Sequence, residues 1–192
     1  MIAPERVAAV VTAAGFSSRM GSPKALLDWH GKLLLQHQMD ALAEIGQVVV
    51  VLGHEAERIH SHLRAGANCR VVLNPDYPEG RASSLRRGFE AIAASPEAVL
   101  VIGVDQPFAP ETLTSLLAQM TAETTIVLPT SAGRRGHPVL FAGALLNELR
   151  GITEEGEGLR AVVRRHPVRE VPVNDPFWDL NRPEDYARAL QA

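Results

Sequence analysis

Short apolar runs alternate with longer amphipathic segments along most of this chain, and the alternation predicts a sheet whose strands are connected by helices. The runs Arg6–Thr12, Gln47–Leu52 and Ala98–Val104 are almost continuously apolar and rich in valine, which is typical of strands buried on both faces of a sheet. Between them, the apolar positions of Leu33–Ile45 and Ser83–Ala94 recur at helical spacing. This order predicts right-handed strand–helix–strand crossovers and a doubly wound α/β fold.

Weaker patterns continue the alternation to the end of the chain. They predict, in order, helix Glu55–Leu63, strand Arg70–Leu73, helix Pro110–Thr121, strand Thr125–Leu128, strand Leu140–Phe141, helix Ala144–Leu149, helix Glu157–Arg165, strand Val168–Val173 and helix Pro183–Leu190. We therefore expect one domain over residues 1–192, with a mostly parallel, Rossmann-like sheet in a three-layer α/β/α arrangement. Ligands of such folds bind outside the carboxyl ends of the strands, where the strand order switches direction.

Composition narrows the function classes. The 192 residues are 46% hydrophobic and 21% charged, with 19 lysines and arginines against 22 aspartates and glutamates. The net charge of −3 gives no electrostatic reason to expect a nucleic-acid partner. Cys69 is the only cysteine, so no intrachain disulfide can form. No apolar stretch reaches the length of a membrane span, and we expect a cytoplasmic protein without a membrane partner.

A glycine-rich loop follows the first predicted strand and carries the strongest chemical signal. Val10–Ala14 runs into Gly15, and Phe16–Ser18 lead to Arg19, a second glycine and Lys24. Glycine lets backbone N–H groups approach phosphate oxygens, and the two cations supply charged partners for the same oxygens. The spacing matches neither a P-loop nor a dinucleotide fingerprint. The alternative is a glycine-rich turn that binds no ligand.

An acidic residue follows another buried strand, in the sequence Gly-Val-Asp-Gln-Pro at positions 103–107. Near a triphosphate, the carboxylate of Asp105 would hold Mg²⁺, which prefers oxygen ligands and bridges to phosphates. Its alternative role is to cap the helix predicted to begin at Pro110. The presence of the glycine-rich loop favours the metal.

The loop resembles A-A-G-x-S-x-R-M-G-x-x-K, the signature of the MobA-like nucleotidyltransferases, in the branch that contains molybdenum cofactor cytidylyltransferase. Asp105-Gln106-Pro107 resembles the acidic motif of the same family. The resemblance implies a nucleotidyltransferase (GT-A-like) fold and a reaction in which an NTP and an acceptor phosphate give a nucleotide-linked product and pyrophosphate. It implies Mg²⁺ as cofactor and favours CTP, because Ala13-Ala14-Gly15 stands where guanylyl-transferring relatives usually carry Ala-Gly-Gly.

The resemblance also implies the residues that contact the nucleotide. They are Ala13, Ala14, Gly15, Phe16, Ser17, Ser18, Arg19, Lys24, Asn74, Gly80 and Ser84. The last three come from a segment resembling N-x-x-[aromatic]-x-x-G-x-x-x-S, whose serines could instead only cap a helix. Arg19, Lys24 and Asp105 are the expected catalytic residues, because the two cations would neutralise the charge that develops on the phosphates.

A second metal ligand is expected near the C-terminus, in Phe177–Asp185. Nucleotidyltransferases of this fold usually carry that ligand before a Thr-Pro-Glu-Asp turn, and here Arg182 precedes Pro-Glu-Asp. Asp179 occupies the expected place, with Asn181 as the alternative oxygen ligand. The implied metal pair is therefore Asp105 and Asp179.

Arg135, Gly136, His137 and Pro138 resemble the G-x-P-v-x-F segment on the acceptor side of these enzymes. The alternative for the two arginines at 134–135 is an exposed basic hairpin. The family's late G-D-x-G-[AV]-R element is matched only in part at Glu154–Arg160. Molybdopterin is the preferred acceptor, and a molybdoenzyme would receive the product. Other possibilities are a sugar or alditol phosphate acceptor, or a non-catalytic carrier or maturation protein of the cofactor.

Overall fold

The chain folds around an eight-stranded sheet, and the computed structural model describes residues 2–93 and 95–191. The strands are β1 (Val7–Ala13), β2 (Asp28–Trp29), β3 (Lys32–Leu33), β4 (Gln47–Leu52), β5 (Cys69–Leu73), β6 (Ala98–Gly103), β7 (Ile126–Ser131), β8 (Arg134–Arg135), β9 (Val139–Ala142) and β10 (Val168–Pro172). The helices are α1 (Leu34–Ala41), α2 (Ala56–His62), α3 (Arg81–Glu90), α4 (Pro110–Gln119), α5 (Leu146–Arg150), α6 (Leu159–Arg165) and α7 (Pro183–Ala189).

The strand order in the sheet is β10-β7-β9-β6-β1-β4-β5, with β8 paired to β7. Strand β1 is parallel to both β4 and β6. Strand β9 runs antiparallel to both β6 and β7, so β6 and β7 run in the same direction. The sheet is therefore mostly parallel, and the strand order switches at β1, as expected for a doubly wound fold.

Two apolar layers cover the faces of the sheet and confirm the three-layer arrangement. One layer contains Val11 from β1 and side chains of α1, α2 and α4. The other contains Val10 and side chains of α3, α5 and α6. Neighbouring residues of β1 thus point to opposite cores, and both are fully buried. Each such burial stabilises the fold by about 1.5–3 kcal/mol, which explains why these strands are apolar at successive positions.

Helix α1 is shorter than the sequence predicts, because the chain turns after it and passes close to another segment. The helix expected over Leu33–Ile45 ends at Ala41, and the chain turns so that the N–H of Gly46 donates to the carbonyl of Pro4 at 3.1 Å. A side chain at Gly46 would meet the carbonyl of Glu5, so this close passage requires glycine.

Helix α3 begins two residues before the predicted start. Gly80 precedes it with φ of +118°, a conformation that favours glycine, and allows the helix to start at Arg81. The predicted end at Ala94 lies outside the described residues. Helix α6 begins later than predicted, at Leu159, because Gly158 with φ of +55° closes the preceding turn. The β2–β3 hairpin and β8 were not predicted, since two-residue strands carry no readable alternation.

The segment after β10 returns to the carboxyl edge of β6 and is fixed there at two points. The carboxylate of Asp175, which is buried, accepts hydrogen bonds from the N–H of Ala109 and the hydroxyl of Thr112, each at 2.8 Å. The N–H of Leu180, also buried, donates to the carbonyl of Asp105 at 2.9 Å. The residues on either side of Leu180 are thereby held beside Asp105. No helix in the described ranges is long and apolar enough to cross a membrane.

Replacing Asp175 by alanine tests the first of these attachments. The variant Asp175→Ala leaves the Ala109 N–H and the Thr112 hydroxyl without their buried acceptor, so we expect the free energy of unfolding to fall by about 1–3 kcal/mol. Urea unfolding followed by circular dichroism measures the change. The control Glu123→Ala, which removes an exposed carboxylate, should shift the value by less than about 0.5 kcal/mol. Equal stability of the two variants would contradict the assignment.

Candidate active site

A cleft of about 420 Å³ opens at the carboxyl ends of β1 and β6, where the strand order switches. Its walls come from the loop after β1, the N-terminal turn of α3, the residues after β6, and Asn181. The residues of the cleft wall that the sequence predicted are Ala13, Ala14, Gly15, Phe16, Ser17, Ser18, Arg19, Lys24, Gly80, Ser84 and Asp105. Motifs distant in sequence therefore meet at one edge of the sheet.

Ser17 organises the glycine-rich loop. Its backbone is left-handed, with φ of +51°, and its carbonyl accepts from the N–H of Met20 at 2.8 Å. Its hydroxyl accepts from the N–H of Lys24 at 3.1 Å. These contacts fold the loop back so that Lys24 returns to the cleft, while Gly15 and Arg19 remain exposed on it.

Lys24 lies between two oxygen atoms from distant parts of the chain. Its ammonium is 2.8 Å from Oδ2 of Asp105 and 2.9 Å from Oδ1 of Asn181. The side chains of Lys24 and Asp105 are only 13% and 27% exposed. Such a sheltered ion pair is screened by water less than a surface pair. Asp105 does not cap α4, because Asp175 accepts the hydrogen bonds at that end.

Asp179 lies close enough to Asp105 for the two carboxylates to affect each other. Burial raises the pKa of Asp179, and the negative charge of Asp105 raises it further. Lys24 and Arg81 act in the opposite direction on the same pKa. Two neighbouring carboxylates and the amide oxygen of Asn181 form a set of hard oxygen donors, which suits Mg²⁺ or Mn²⁺. The chemistry of this donor set fits a divalent cation completed by phosphate or water oxygens.

The N-terminal turn of α3 forms the opposite wall of the cleft. Asn74 is buried and donates to the hydroxyls of Ser83 and Ser84 at 2.9 and 3.0 Å. Ser83 donates in turn to the carbonyls of Asp76 and Gly80, both at 2.9 Å. The hydrogen bonds of Asn74 and Ser83 thus stabilise the turn on the side away from the cleft. Ser84 lies on the cleft wall, whereas Asn74 does not.

Glu154 belongs to the segment that only partly matches the family's late element, and its side chain reaches the same turn. Its Oε1 accepts from the N–H of Ala82 at 3.0 Å. The carboxylate covers Gly80 so closely that a Cβ there would collide with it. Glu154 therefore satisfies an amide at the N-terminus of α3, a role that sequence reasoning missed.

Three aromatic rings form one rim of the cleft. The Phe16 ring, in a residue that is 51% exposed, lies 5.0 Å from the ring of Tyr77 and 5.2 Å from that of His54. The N–H of His54 donates to the carbonyl of Ala14 at 3.1 Å, which ties this rim to the glycine-rich loop. The rings present an apolar surface next to the glycine-rich loop.

The predicted acceptor segment divides into an exposed part and a mostly buried part. Arg135 lies on the β7–β8 hairpin, where its guanidinium pairs with Glu170 at 2.7 Å and does not line the cleft. Gly136 is buried under the ring of Phe177, which leaves no room for a Cβ. Pro138 is buried at the start of β9. Arg135 therefore lies outside the cleft and is paired with Glu170 there.

His137 lies nearer the chemistry than its exposed neighbours. Burial lowers its pKa from 6.5 to about 4, and the positive charge of Arg81 adds to the lowering, while Asp105 opposes it. The imidazole is therefore neutral at neutral pH. Its Nδ1 and the Oε1 of Gln106 are buried without a hydrogen-bond partner in the described part of the chain.

Arg81 is the main cleft residue that sequence reasoning missed. It is the first residue of α3, is exposed, and lines the cleft. A cation at a helix N-terminus is electrostatically unfavourable, and this mismatch was the available signal. The sequence instead favoured the serines at 83–84, because they match the family motif.

The family model of the MobA-like NTP transferase domain matches residues 9–171. The match begins within β1 and ends within β10. It therefore includes the glycine-rich loop, Asp105 and the acceptor segment, and it stops before Asp179.

Three curated relatives resemble the chain to different extents. A bifunctional IPC transferase and DIPP synthase from Rubrobacter xylanophilus is 39% identical over 120 residues, which are 59% of this chain and 27% of that protein. A molybdenum cofactor cytidylyltransferase from Escherichia coli is 25% identical over 95% of this chain and 94% of its own length. A molybdenum cofactor guanylyltransferase from Rhizobium leguminosarum is 31% identical, with 98% and 93% covered.

Solved structures share the whole fold. Rv0371c from Mycobacterium tuberculosis has a TM-score of 0.84 and 30% identity, covering 97% of this chain and 98% of that one. A structure of Rv0371c in complex with manganese has a TM-score of 0.81 and 29% identity over the same shares. Both the fold class and the resemblance inferred from the loop are confirmed, and the chain belongs to the MobA-like NTP transferase family of nucleotidyltransferases.

Proposed function

We propose that this nucleotidyltransferase uses Mg²⁺ to transfer the nucleotide of an NTP, with CTP preferred, to a phosphorylated acceptor, with molybdopterin preferred. The observation that carries the proposal is the contact of Lys24 with Asp105 and Asn181. It supports the proposal because the cation of the glycine-rich loop lies against two side-chain oxygens that could hold a metal, at one point of the cleft. A phosphate group held there would meet both.

The reaction requires no nucleophilic side chain. An oxygen of the acceptor phosphate forms a bond to the α-phosphorus, the bond from the α-phosphorus to its bridging oxygen breaks, and pyrophosphate leaves with the electron pair. The backbone of Ala14–Ser18 would bind the β- and γ-phosphates, and Arg19 and Lys24 would neutralise charge on them. The rim of Phe16 and Tyr77 would contact the nucleoside.

Asp105 and Asp179 would hold the cation, with Asn181 as the alternative second ligand. When bound, Mg²⁺ neutralises phosphate charge and orients the reacting oxygens. The backbone of Asp105 is held by the N–H of Leu180, and its carboxylate accepts from the ammonium of Lys24. The residues thus supply the ligands, and the substrate phosphates would supply the rest.

The choice of CTP as donor and molybdopterin as acceptor is supported by fewer observations than the reaction type. Ala13-Ala14-Gly15 favours CTP, and the E. coli relative carries the cytidylyltransferase name, whereas the Rhizobium relative carries the guanylyltransferase name. The Rubrobacter relative, named an IPC transferase, supports a different phosphorylated small molecule as the alternative acceptor. With molybdopterin as acceptor, a molybdoenzyme would receive the product, and the lone Cys69 fits work in the cytoplasm.

Pyrophosphate release tests the proposal directly. The purified protein is incubated with Mg²⁺ and, in turn, CTP, GTP, ATP or UTP, with and without molybdopterin. We expect release with CTP only when molybdopterin is present. Release with another nucleotide would keep the reaction and correct the base. Nucleotide binding without release under any pairing, including sugar phosphates, would contradict transfer and favour a non-catalytic carrier.

Removing either member of the central ion pair should disable the enzyme. We expect Lys24→Ala to lower kcat by about 10²-fold or more, the effect of one lost transition-state contact. Asp105→Ala should abolish metal-dependent turnover and leave the circular dichroism spectrum unchanged. Steady-state pyrophosphate release gives both values.

A second lysine–aspartate pair provides the matched control. Lys32 and Asp40 are 2.7 Å apart, exposed, and outside the cleft. Lys32→Ala and Asp40→Ala should retain wild-type turnover. If the two sets of variants lost activity equally, the roles assigned to Lys24 and Asp105 would be wrong.

The pKa of His137 predicts how stability depends on pH. The unfolded chain takes up a proton near pH 6.5, while folded His137, beside Arg81 and Asp105, resists protonation to about pH 4. The contribution of His137 to the wild-type free energy of unfolding should therefore decrease as the pH is lowered from 6.5 to about 4. Above pH 6.5 this contribution should stay constant. In His137→Asn the contribution disappears, so the difference between the two proteins should change only between these pH values. A constant difference from pH 7 to 4 would refute the buried, neutral imidazole.

A further inference from the structure

Two arginines of the cleft have no protein partner within residues 2–93 and 95–191. Arg19 and Arg81 line the cleft, and neither guanidinium makes a hydrogen bond or ion pair there. Lys24, the third cation of the cleft, is already paired with Asp105 and Asn181. Two uncommitted guanidinium groups in one cleft suggest two anionic groups to be bound.

The cations reach the site from opposite faces of the sheet. Ala25, the neighbour of Lys24, is buried in the apolar layer of α1 and α2. Ala82, the neighbour of Arg81, is buried in the layer of α3 and α5. Lys24 and Arg81 therefore approach the carboxyl edge of β1 and β6 from two sides.

Arg81 is directed to the end of β6 and to the predicted acceptor segment. Its Nη2 lies 3.5 Å from the position that a Cβ would take on Gly103. Its charge acts on both His137 and Asp179. The unpartnered Nδ1 of His137 and Oε1 of Gln106 belong to the same neighbourhood. Of these groups, the guanidinium of Arg81 lines the cleft and can contact an anionic ligand there.

Arg135 lacks these properties, although the sequence favoured it. Its guanidinium is bound by Glu170, and it lies on the exposed hairpin outside the cleft. Recruiting it would require breaking that ion pair and moving β8. Arg81 needs no such change.

We propose that Arg81, rather than Arg135, binds the phosphate of the acceptor. The inference rests on the proposed function, since it assigns the second anionic substrate of that reaction. The planar guanidinium can donate two parallel hydrogen bonds to a phosphate, which fixes its orientation as well as its position. Arg81 would hold the attacking oxygen group on the side of the cleft opposite Lys24.

The variant Arg81→Gln separates the two substrates. We expect the KM for molybdopterin to rise at least tenfold, while the KM and Kd for the nucleotide change less than about twofold. Arg81→Lys keeps the charge without the fork and should restore only part of the loss. The control Arg87→Gln removes an exposed arginine of the same helix that donates to the Leu73 carbonyl outside the cleft, and it should behave as wild type.

A direct binding measurement distinguishes failure of this inference from failure of the proposed function. Methyl phosphate is titrated, with phosphorus NMR, into the complex of the enzyme with Mg²⁺ and the α,β-methylene analogue of CTP. Wild type should bind methyl phosphate, and Arg81→Gln should lose that binding, whether or not molybdopterin is the acceptor. If the wild-type enzyme bound methyl phosphate but showed no turnover, the proposed acceptor or reaction would be wrong, and the assignment of Arg81 would stand.

Three results would overturn the assignment of Arg81. One is an equal loss of nucleotide and acceptor affinity in Arg81→Gln, which would place Arg81 on the nucleotide. Another is a larger rise of the acceptor KM in Arg135→Gln than in Arg81→Gln. The third is absence of methyl phosphate binding to the wild-type complex, which would show that no phosphomonoester site exists there.

Discussion

The parallel pairing of β1 with β6 is the constraint on which the rest of the site depends. Thr12 lies opposite Gly103 in the register, and the N–H of Val104 continues the ladder by donating to the Thr12 carbonyl at 2.9 Å. Both strands therefore end at the same level, and the loops that follow them must leave side by side. The apolar layers on both faces fix this register, because a shift of one residue would exchange the cores that each side chain enters. The glycine-rich loop and the carboxylate of Asp105 become neighbours although about eighty residues separate Lys24 from Asp105.

Electrostatic balance follows from this arrangement. Three oxygen-bearing side chains and one lysine gather at the β6 edge, and the lysine offsets part of the repulsion between the two carboxylates. In the proposed function, a triphosphate in the loop would compete with Asp105 for the ammonium of Lys24, and a divalent cation would compete with the ammonium for Asp105. Substrate and metal would then favour each other's binding, because each frees the partner that the other requires.

The sequence predicted the parts of the molecule that have a local or periodic cause. Continuous apolar strands, the glycine-rich loop and the acidic residue after β6 each follow from short segments, and their places in the fold are confirmed. Contacts between distant segments could not be predicted in the same way. Glu154 at the α3 turn and Asp175 at α4 act through side chains that meet only in the folded protein. Arg81 carried a weak local signal, while Arg135 was favoured by its motif although Glu170, from a distant strand, pairs with it.

The contact of Lys24 with Asn181 also has a consequence for the order in which the protein is made. Chains are synthesised from the N-terminus, at about 5–20 residues per second, and earlier segments begin to fold first. The strands that carry the loop and Asp105 are complete long before Asn181 leaves the ribosome. Until then, Leu180 cannot donate to the Asp105 carbonyl, and Lys24 has only one of its two oxygen partners. A nascent chain can therefore possess nearly all of its sheet and still lack these contacts, so that a ribosome stalled before residue 181 would hold a folded sheet with an incomplete cleft.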